Sequence, residues 1–501
     1  MQKVSIAIQL SRIAQKSQTL PINYPKTLTF KLSQAFTKVN KLTLLSLAVL
    51  ICSIAGCKKD PTPTTGTGNQ GTGVVEEVMP IGEEAYLTGD SDYLFDQEVL
   101  HRFDLIVSTT NMEILDNDPT AEEYVEAKLV FEGDTLSPVG LRYKGSIGGF
   151  VGCVDGPFWW NPSGAKTCPK LSMKLKINWV GRTDRFYGQK KIQLHSMNSD
   201  PTQFHDRLGY HLYREMGVPA PRSTHAQLYI NGDYVGLFAL IEQIDGRFTD
   251  YHYDDGDGNL YKEVWPVTCD GKARSEAQLL NGLKTNENDN PSAVITHTFA
   301  QAIVDAETDA DLRSIIREWM DVDEIMAYVA VDRAIRADDG AFHWYVNGGD
   351  CNPHNFYWYE RPTDGKVSLI PWDMDNSFDN IIDGTNSIIN IPDDWGEVSN
   401  DCEPFTTGGF FGIEQRSAAC DRLTYAWTLF TDEYQDQQDR LKVGPFAQAN
   451  TDHLIDQWSA QIREATQEAR QKHGGDALSI GEWESAVEVL KSRLDIARGK
   501  L

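Results

Sequence analysis

The sequence predicts an α+β protein with two lobes, a β-rich first lobe and a mostly helical second lobe. Between about 100 and 265, apolar and polar residues alternate at period two, as they do in half-buried strands. From about 308 onward, apolar residues recur at helical spacing instead. A short pair of strands is embedded in the helical part. Strands followed by helices, with one hairpin among the helices, indicate the two lobes.

The β-rich lobe is predicted to contain alternating strands, one helix and one hairpin. The strands are expected at 127–131, 139–144 and 171–177. Residues 206–216 space their apolar side chains as a helix does, and Gly217 is a suitable stop. Residues 226–242 are predicted to form the hairpin because Asn231-Gly232 is the strongest short turn signal.

The helical lobe is predicted from two long segments of helical spacing, 310–334 and about 432–498. Between them, 355–359 and 366–370 are expected to pair as strands through a turn at Asp364-Gly365. No internal repeat is visible in the sequence.

The first 56 residues indicate export. They contain seven basic residues and no acidic residue, and they end in the apolar run 42–56. A basic region, a short apolar run and small residues are typical of a secretory signal peptide. Ile54-Ala55-Gly56-Cys57 resembles the bacterial lipobox, which implies cleavage before Cys57 and lipidation of that cysteine. An ordinary signal peptide and a buried core helix are the alternatives.

Four segments are therefore predicted along the chain. They are a lipoprotein signal peptide at 1–56, a flexible linker rich in Thr, Gly and Pro at 57–80, the β-rich lobe at 81–265 and the helical lobe at 266–501. We expect an exported lipoprotein of a bacterial cell envelope, periplasmic or surface-exposed, whose body is held to the membrane by its lipid anchor.

The net charge excludes nucleic acid as an expected partner. The chain has 46 Lys and Arg against 73 Asp and Glu, a net charge of −27. After loss of the seven basic residues of the signal peptide, 39 basic residues remain against 73 acidic ones, and the charge becomes −34. Phosphate backbones are bound by a surplus of Lys and Arg, which this chain lacks.

Six cysteines remain beyond Cys57, an even number that suggests disulfides in an exported protein. Cys153–Cys168 and Cys402–Cys420 are the expected local pairs. Zinc binding is the rival, but the sequence has no Cys-x-x-Cys or paired His spacing.

Carboxylates around the embedded hairpin have the arrangement of a phosphoryl-transfer site. Asp373 and Asp375 follow the second strand, where they can supply oxygen ligands to Mg²⁺, Mn²⁺ or Ca²⁺. Asp338 and Asp339 precede the hairpin, and Asn355 lies at its start. In such a site one Asp orients the acceptor hydroxyl, and the Asn and the last Asp hold the metal. An ordinary Asp-rich turn is the alternative for Asp373 and Asp375.

A period-two segment in the β-rich lobe places Lys170, Lys174 and Lys176 on one face of a strand. One of these cations could contact phosphates. A solvated strand face is the alternative interpretation.

These segments together resemble the spore-coat-protein-H (CotH) kinase family, a divergent branch of the protein-kinase-like fold. The hairpin Asn-Gly-x-Tyr-x-Gly at 231–236, followed by Glu-x-Ile-Asp at 242–245, and Pro-Trp-Asp at 371–373 are specific features. The other matching segments, in the family's order, are 142–146, 169–176, 206–210, 217–222 and 354–359. The resemblance covers roughly 139–380.

The resemblance implies roles for individual residues. Asp373 would be the metal-binding aspartate and Asn355 the second metal ligand, with Asp375 as a further candidate. Asp339 would be the catalytic aspartate, with Asp338 as the alternative. The remaining candidates would contact the nucleotide. Lys174 would reach the α/β-phosphates, with Lys170 and Lys176 as alternatives and with Glu215 or Asp206 as the acid paired with the lysine. Gly145 and Ser146 would lie in the loop over the nucleotide, and the backbone near Glu242 would meet adenine.

The implied function is that of an atypical protein kinase. It would use ATP with Mg²⁺ or Mn²⁺ to phosphorylate hydroxyl side chains of a surface or secreted protein. The chain departs from the family at Ala337, where an Asn is usual nearby, and at the apparent insertion 342–351. Cys351 is expected to pin this insertion by a disulfide. A non-catalytic pseudokinase with a binding or structural role is the alternative. A carbohydrate-active enzyme with paired carboxylates is a third hypothesis, favoured by the twelve Trp.

Overall fold

A computed structural model describes residues 85–289, 291–347, 350–382, 390–406 and 414–501. The predicted signal peptide, the lipidation site Cys57 and the linker lie outside the described residues. Within those residues, the protein combines helices and strands, and no helix has both the length and the apolar character needed to cross a membrane.

The first part of the described chain contains the strands of a barrel and several short helices. In chain order they are α1 (Ala85–Thr88), α2 (Ser91–Leu94), β1 (His101–Ile106), α3 (Thr109–Asn117), β2 (Val125–Phe131), β3 (Asp134–Tyr143), α4 (Ile147–Phe150), β4 (Met173–Lys176), β5 (Lys191–His195), α5 (His205–Glu215), β6 (Ser223–Ile230), β7 (Asp233–Ile241) and α6 (Gly246–His252).

The seven strands close into a barrel in the order β1-β2-β3-β4-β5-β7-β6. The β1–β6 pair is parallel and the others are antiparallel. The predicted strands, the helix ending before Gly217 and the hairpin are confirmed. Asn231 and Gly232 both have positive φ, 54° and 84°, as a two-residue turn between twisted strands requires.

The second part contains the remaining strands and the longer helices. In chain order they are β8 (Leu260–Lys262), α7 (Glu276–Leu279), α8 (Val294–Asp305), α9 (Asp309–Trp319), α10 (Val322–Ile335), β9 (Trp344–Asn347), β10 (Asp350–Asn352), β11 (Phe356–Glu360), β12 (Val367–Pro371), β13 (Phe405–Thr406), β14 (Glu414–Arg416), α11 (Arg422–Thr428), α12 (Thr431–Val443), α13 (Gln448–His473) and α14 (Ile480–Lys500).

Two small sheets lie among these helices. The predicted hairpin is confirmed as β11–β12, and β8 adds to its β11 edge. The apparent insertion forms β9 and β10, which join β14 and β13 in the order β10-β9-β14-β13. The structure therefore places the insertion in a second sheet, which it shares with β13 and β14.

The segment of helical spacing predicted at 310–334 is helical in the structure, but it is divided into two helices. The first helix ends at Trp319 because Met320 adopts an extended conformation. A new helix begins at Val322, where the Asp321 carboxylate accepts hydrogen bonds from the backbone N–H groups of Asp323 and Glu324. An N-cap of this kind satisfies donors that the first helical turn leaves unpaired.

The described residues pack around two hydrophobic clusters. One fills the barrel and includes Phe103, Leu129 and Leu175. The other extends from Met197 to the C-terminal helices and packs α5 against the outer face of β7. Since this second cluster contains residues from both sides of position 265, the domain boundary proposed there remains a prediction.

Three disulfides link the six cysteines beyond Cys57. The two expected local pairs, Cys153–Cys168 and Cys402–Cys420, are confirmed. The third bond joins Cys269 to Cys351 across 82 residues and fixes the insertion, as expected for Cys351.

Candidate active site

A cleft of about 2300 Å³ separates the barrel from the β11–β12 hairpin. The barrel wall is a set of basic residues that line the cleft from β3, the position directly after β3, β4 and β5, namely Arg142, Lys144, Lys174, Lys176 and Lys191. The hairpin wall is the set of polar residues around the hairpin, namely Asp339, Asn355, Asp373 and Asp375. The structure therefore brings the predicted metal ligands and one predicted catalytic aspartate into the same cleft as the predicted lysines.

The pairing of β11 with β12 places Asn355 beside Asp373. Phe356 pairs with Pro371, so the residues just outside this pair lie next to one another. The Trp372 N–H donates to the Asn355 carbonyl at 3.1 Å. Both Asn355 and Asp373 have positive φ, 57° and 62°, a conformation that turns each residue out of the ladder.

Helix α5 supplies further groups near Asp373. The Tyr210 hydroxyl accepts a hydrogen bond of 2.9 Å from the Asp373 N–H. Single ligand atoms of His195, Asp206 and Asp373 lie within 4.8 Å of one another. Asp206 Oδ1 also accepts from the Met374 N–H at 3.3 Å. The helix therefore fixes the backbone of the Asp373 turn and adds a carboxylate to the cluster.

Burial and mutual repulsion raise the pKa values of the hairpin-wall carboxyls. Burial raises the pKa of Asp373, with a smaller contribution from Asp206, while His195, Lys144 and Lys262 act in the opposite direction. Burial and then Asp373 raise the pKa of Asp375 well above its usual range. A cation bound among these oxygens would relieve the repulsion, so the donor set fits a divalent metal such as Mg²⁺ or Mn²⁺.

Asp339 faces the cleft and is held from two directions. Tyr345 Oη donates to Asp339 Oδ1 at 2.5 Å. Asn355 Nδ2 donates to the Asp339 carbonyl at 2.9 Å and lies 3.3 Å from Oδ2. Burial raises the pKa of Asp339 to about 6, although the Tyr345 hydrogen bond and His354 lower it. A half-buried carboxylate with this pKa is suited to accept a proton.

Asp338, the alternative catalytic residue, does not reach the cleft. Its carboxylate is fully buried and forms salt bridges of 3.0 Å with both Arg333 and Arg336. Asn380 Nδ2 and the Ile391 N–H also donate to Asp338 Oδ2. With both oxygens bound in the core, Asp338 ties the end of α10 to the loop near Ile391 and cannot approach a substrate.

The three candidate lysines have different environments. Lys174 and Lys176 belong to the barrel wall, as the period-two pattern predicted. Lys170 precedes β4, and its ammonium donates to the Leu237 carbonyl at 2.6 Å. The prediction that Lys170 shares the face of Lys174 and Lys176 is therefore wrong, because the chain is not yet in the strand at this position.

Lys144 is a basic residue of the site that the sequence did not single out as a candidate. Its Nζ lies 2.5 Å from His195 Nε2, and His195 Nδ1 lies 3.3 Å from Asp206 Oδ2. Burial lowers the pKa of Lys144 to about 8, while Asp373 and Asp206 act in the opposite direction. The available signal was its spacing, since Lys144 comes two residues after Arg142 and shares its side of the chain.

Of the other residues predicted to contact the nucleotide, some line the cleft and one is buried in the core. Gly145 and Ser146 line the cleft, and the Gly145 N–H donates to Glu122 Oε1 at 2.9 Å. Glu242 is fully buried, and its side chain accepts from Arg222 and His252 at 2.6 and 3.0 Å. Burial alone would raise the pKa of Glu242, but these partners lower it to about 2. The residues that follow it, from Gln243, do line the cleft.

Glu215, one of the two acids considered as the lysine's partner, ends α5, and its carbonyl accepts from Arg440. Asp206 is instead the candidate acid that is linked to Lys144, through His195. The two acids differ in position because Asp206 and Glu215 lie at opposite ends of the three-turn helix α5.

Comparison with known proteins gives one extensive family match. Residues 141–495 match the family described as CotH kinase protein. "Inner spore coat protein H" of Bacillus subtilis (strain 168) is 22% identical over 209 residues, or 40% of this chain and 53% of that protein. The match thus spans about half the length of that relative.

Among solved structures, the "Shewanella oneidensis MR-1 Toxin Antitoxin System HipA, HipB and its operator DNA complex" is 11% identical to this chain. The similarity covers 79% of each chain with a TM-score of 0.26.

Proposed function

Because the chain belongs to the CotH kinase family, we propose that it transfers the γ-phosphate of ATP to hydroxyl side chains of a protein. One observation carries the proposal. Asp339, Asn355 and Asp373 meet in one cleft, joined by the Asn355–Asp339 hydrogen bond and the Trp372–Asn355 backbone bond. A catalytic carboxylate, an amide and a metal-binding carboxylate are the groups that phosphoryl transfer requires together.

Asp373 and Asn355 are the proposed metal ligands, with Asp375 beside them. The Asn355 amide nitrogen donates to Asp339, so its oxygen is directed elsewhere and is available as a ligand. Carboxylate and amide oxygens are the ligands preferred by Mg²⁺ and Mn²⁺. When bound, such a cation neutralises charge on the phosphates.

Asp339 is the proposed base for the acceptor hydroxyl. Its pKa of about 6 leaves it mostly ionised at neutral pH, so it can accept a hydrogen bond from the hydroxyl and then its proton. Tyr345 and Asn355 cover part of the Asp339 side chain, which reduces its contact with water.

The barrel wall is proposed to bind the phosphates. Lys144 is our principal candidate because its Nζ lies 2.5 Å from His195 Nε2, and His195 belongs to the cluster with Asp206 and Asp373. Lys174 and Lys176 lie on the adjacent strand of the same wall. In a chain with a net charge of −27, a local set of cations is the means by which a triphosphate can be attracted.

The proposal includes a kinase-like arrangement of two lobes with the cleft between them. The barrel would form the first lobe, and the helices with the β11–β12 hairpin would form the second. Support comes from the two separate hydrophobic clusters and from the position of the cleft between their residues.

We further propose that the protein acts outside the cytoplasm, anchored by a lipid on Cys57, on a surface or secreted protein. Support comes from three disulfides, which are typical of oxidising compartments. The lipobox-like sequence before Cys57 supports the anchor.

The test is transfer of label from γ-labelled ATP by the purified full chain, with Mg²⁺ or Mn²⁺ and a mixed acceptor such as casein. We expect transfer by the wild type and by Asp257→Asn, and little by Asp339→Asn. Asp257 is a suitable control because it lines the same cleft but is exposed. Binding of ATP without transfer would instead support a pseudokinase. Absence of both binding and transfer would overturn the nucleotide site itself.

A further inference from the structure

The apparent insertion brings a tyrosine hydroxyl to the proposed catalytic aspartate. We infer that Tyr345 is a positioning residue that fixes the orientation of the Asp339 carboxylate, an inference that rests on the proposed phosphotransfer. Tyr345 Oη donates to Oδ1 at 2.5 Å, whereas the contacts of Oδ2 with Asn355 and Asn376 are longer, 3.3 and 3.4 Å. Tyr345 therefore occupies Oδ1, and Oδ2 is the oxygen proposed to face the acceptor hydroxyl.

The strand that carries Tyr345 is anchored on both sides. In β9, Tyr345 pairs with Asn352 of β10 and with Gln415 of β14. Asn352 Oδ1 also accepts from Arg274 Nη2 at 2.9 Å. A strand paired on both edges has little freedom to shift, so the position of the hydroxyl is set by the sheet.

A covalent bond holds the same sheet. Cys351 of β10 pairs with Val346, the neighbour of Tyr345, and is bonded to Cys269. Arg416, which pairs with Trp344 at the start of β9, donates to the Cys269 carbonyl at 3.1 Å. The disulfide therefore ties the loop around Cys269 to the strand that positions the hydroxyl.

The tyrosine ring is also held in place. It stacks on His343 with ring centroids 3.9 Å apart and lies 5.1 Å from the ring of His354. Burial, followed by the charge of Asp339, raises the pKa of Tyr345 well above its usual range. The phenol therefore remains protonated at neutral pH and acts as a fixed donor.

The chemical step assigns different tasks to the two carboxylate oxygens. The acceptor hydroxyl passes its proton to Asp339 Oδ2 as its oxygen forms a bond to the γ-phosphorus. The bond between the γ-phosphorus and the β–γ bridging oxygen breaks, and ADP leaves with that electron pair. Tyr345 keeps its own proton throughout. Without its hydroxyl, the carboxylate can rotate, and the fraction of complexes with Oδ2 correctly aimed falls.

The test is Tyr345→Phe in the full chain, which removes one oxygen and keeps the ring. We expect kcat to fall about tenfold or more, as for loss of an orienting partner, with the KM for ATP and the number of ATP molecules bound per chain unchanged. Tyr229→Phe is the matched control, because it removes a tyrosine hydroxyl bound to a carboxylate, Glu468, far from Asp339 in the fold. It should leave kcat unchanged.

The outcomes separate this inference from the proposed function. If the wild type transfers phosphate and Tyr345→Phe has the same kcat, the positioning role is wrong while the proposed function stands. If kcat falls only in proportion to a loss of ATP-binding sites, Tyr345 is structural and the inference is overturned. If the wild type transfers nothing under any condition, the proposed function fails, and the inference fails with it.

Discussion

The barrel wall and the hairpin wall of the cleft carry opposite charges, although both belong to a strongly acidic chain. In the barrel wall, the cations gather because opposed residues of neighbouring antiparallel strands share a face, as Arg142 and Lys174 do. In the hairpin wall, short side chains gather because the chain leaves the ladder at Asn355 and Asp373 with positive φ.

The two walls differ in how accurately they fix the positions of their side chains. Long lysine side chains reach many positions from a regular strand, so several of them can share the task of attracting phosphates. The hairpin wall fixes short side chains through backbone geometry and hydrogen bonds, so each has one position. We therefore expect substitutions in the hairpin wall to affect the reaction more than substitutions in the barrel wall.

The largest expected effect is that of Asp373→Asn in the hairpin wall. Loss of the charge removes the principal proposed metal ligand, and we expect transfer to fall by about a thousandfold, comparable to the removal of a major electrostatic group from a transition state. Initial rates over a range of Mn²⁺ and Mg²⁺ concentrations measure it. A rate within tenfold of that of Asp257→Asn would place the metal elsewhere.

The next largest effects are expected from substitutions at two positions of the barrel wall, Lys144 and Lys174. Lys144→Met should lower kcat/KM for ATP by about a hundredfold, since Lys144 contacts His195, which clusters with Asp206 and Asp373. Lys174→Met should have a smaller effect. Lys284→Met, at a half-buried lysine outside the barrel wall that also lines the cleft, should have none. Steady-state kinetics with varied ATP measures all three. A larger loss of kcat/KM in Lys174→Met than in Lys144→Met would indicate that Lys174, and not Lys144, is the main phosphate contact.

The disulfides of the two regions offer a third comparison. Cys269–Cys351 closes 82 residues and Cys153–Cys168 closes 15. Chain entropy predicts losses of about 4.5 and about 3 kcal/mol, respectively, when each pair is changed to Ser. Only the Cys269→Ser/Cys351→Ser variant should also lower kcat, by about tenfold, because it loosens the strand that carries Tyr345. Denaturant unfolding and steady-state rates measure the two effects. Equal kcat values in the two variants would show that the Cys269–Cys351 bond has no specific effect on the active site.

The smallest expected effect is on pH-dependent stability. Burial raises the pKa of Glu324 in α10 to about 7, whereas Glu242 at the end of β7 is compensated by Arg222 and His252 and has a pKa of about 2. A raised carboxyl pKa stabilises the fold at low pH, and this contribution is lost as pH rises through about 7.

Glu324→Gln should therefore stabilise the protein at pH 8, by at most about 3 kcal/mol, and have little effect at pH 4. Melting curves at the two pH values measure the difference, with exposed Glu318→Gln as the control. Stabilisation that is equal at both pH values would show that the charge of Glu324 is not its cause.

Local patterns in the sequence predicted most of the elements around the cleft. Alternation predicted β2, β3 and β4, and the Asn231-Gly232 turn predicted the β6–β7 hairpin. These features depend on residues two to four positions apart, which the sequence displays directly. The helical spacing at 310–334 did not show that the segment contains two helices, because the interruption at Met320-Asp321 has no Gly or Pro to mark it.

The neighbouring aspartates Asp338 and Asp339 show where such prediction ends. Consecutive residues at the end of a helix point in different directions, and the sequence does not indicate which of them faces the cleft. Packing decides it, since Arg333, Arg336 and Asn380 bind Asp338 in the core.

The sequence by itself determined the family resemblance, the elements with strong local patterns, the two local disulfides and the adjacency of Asn355 and Asp373, which follows from hairpin pairing. The tertiary structure decided which aspartate faces the cleft, that Lys144 joins His195 and Asp206, and that Tyr345 reaches Asp339. The physical reason is that the first set depends on backbone periodicity and short loops. The second depends on side chains brought together by the closure of a barrel and the packing of separate segments against it.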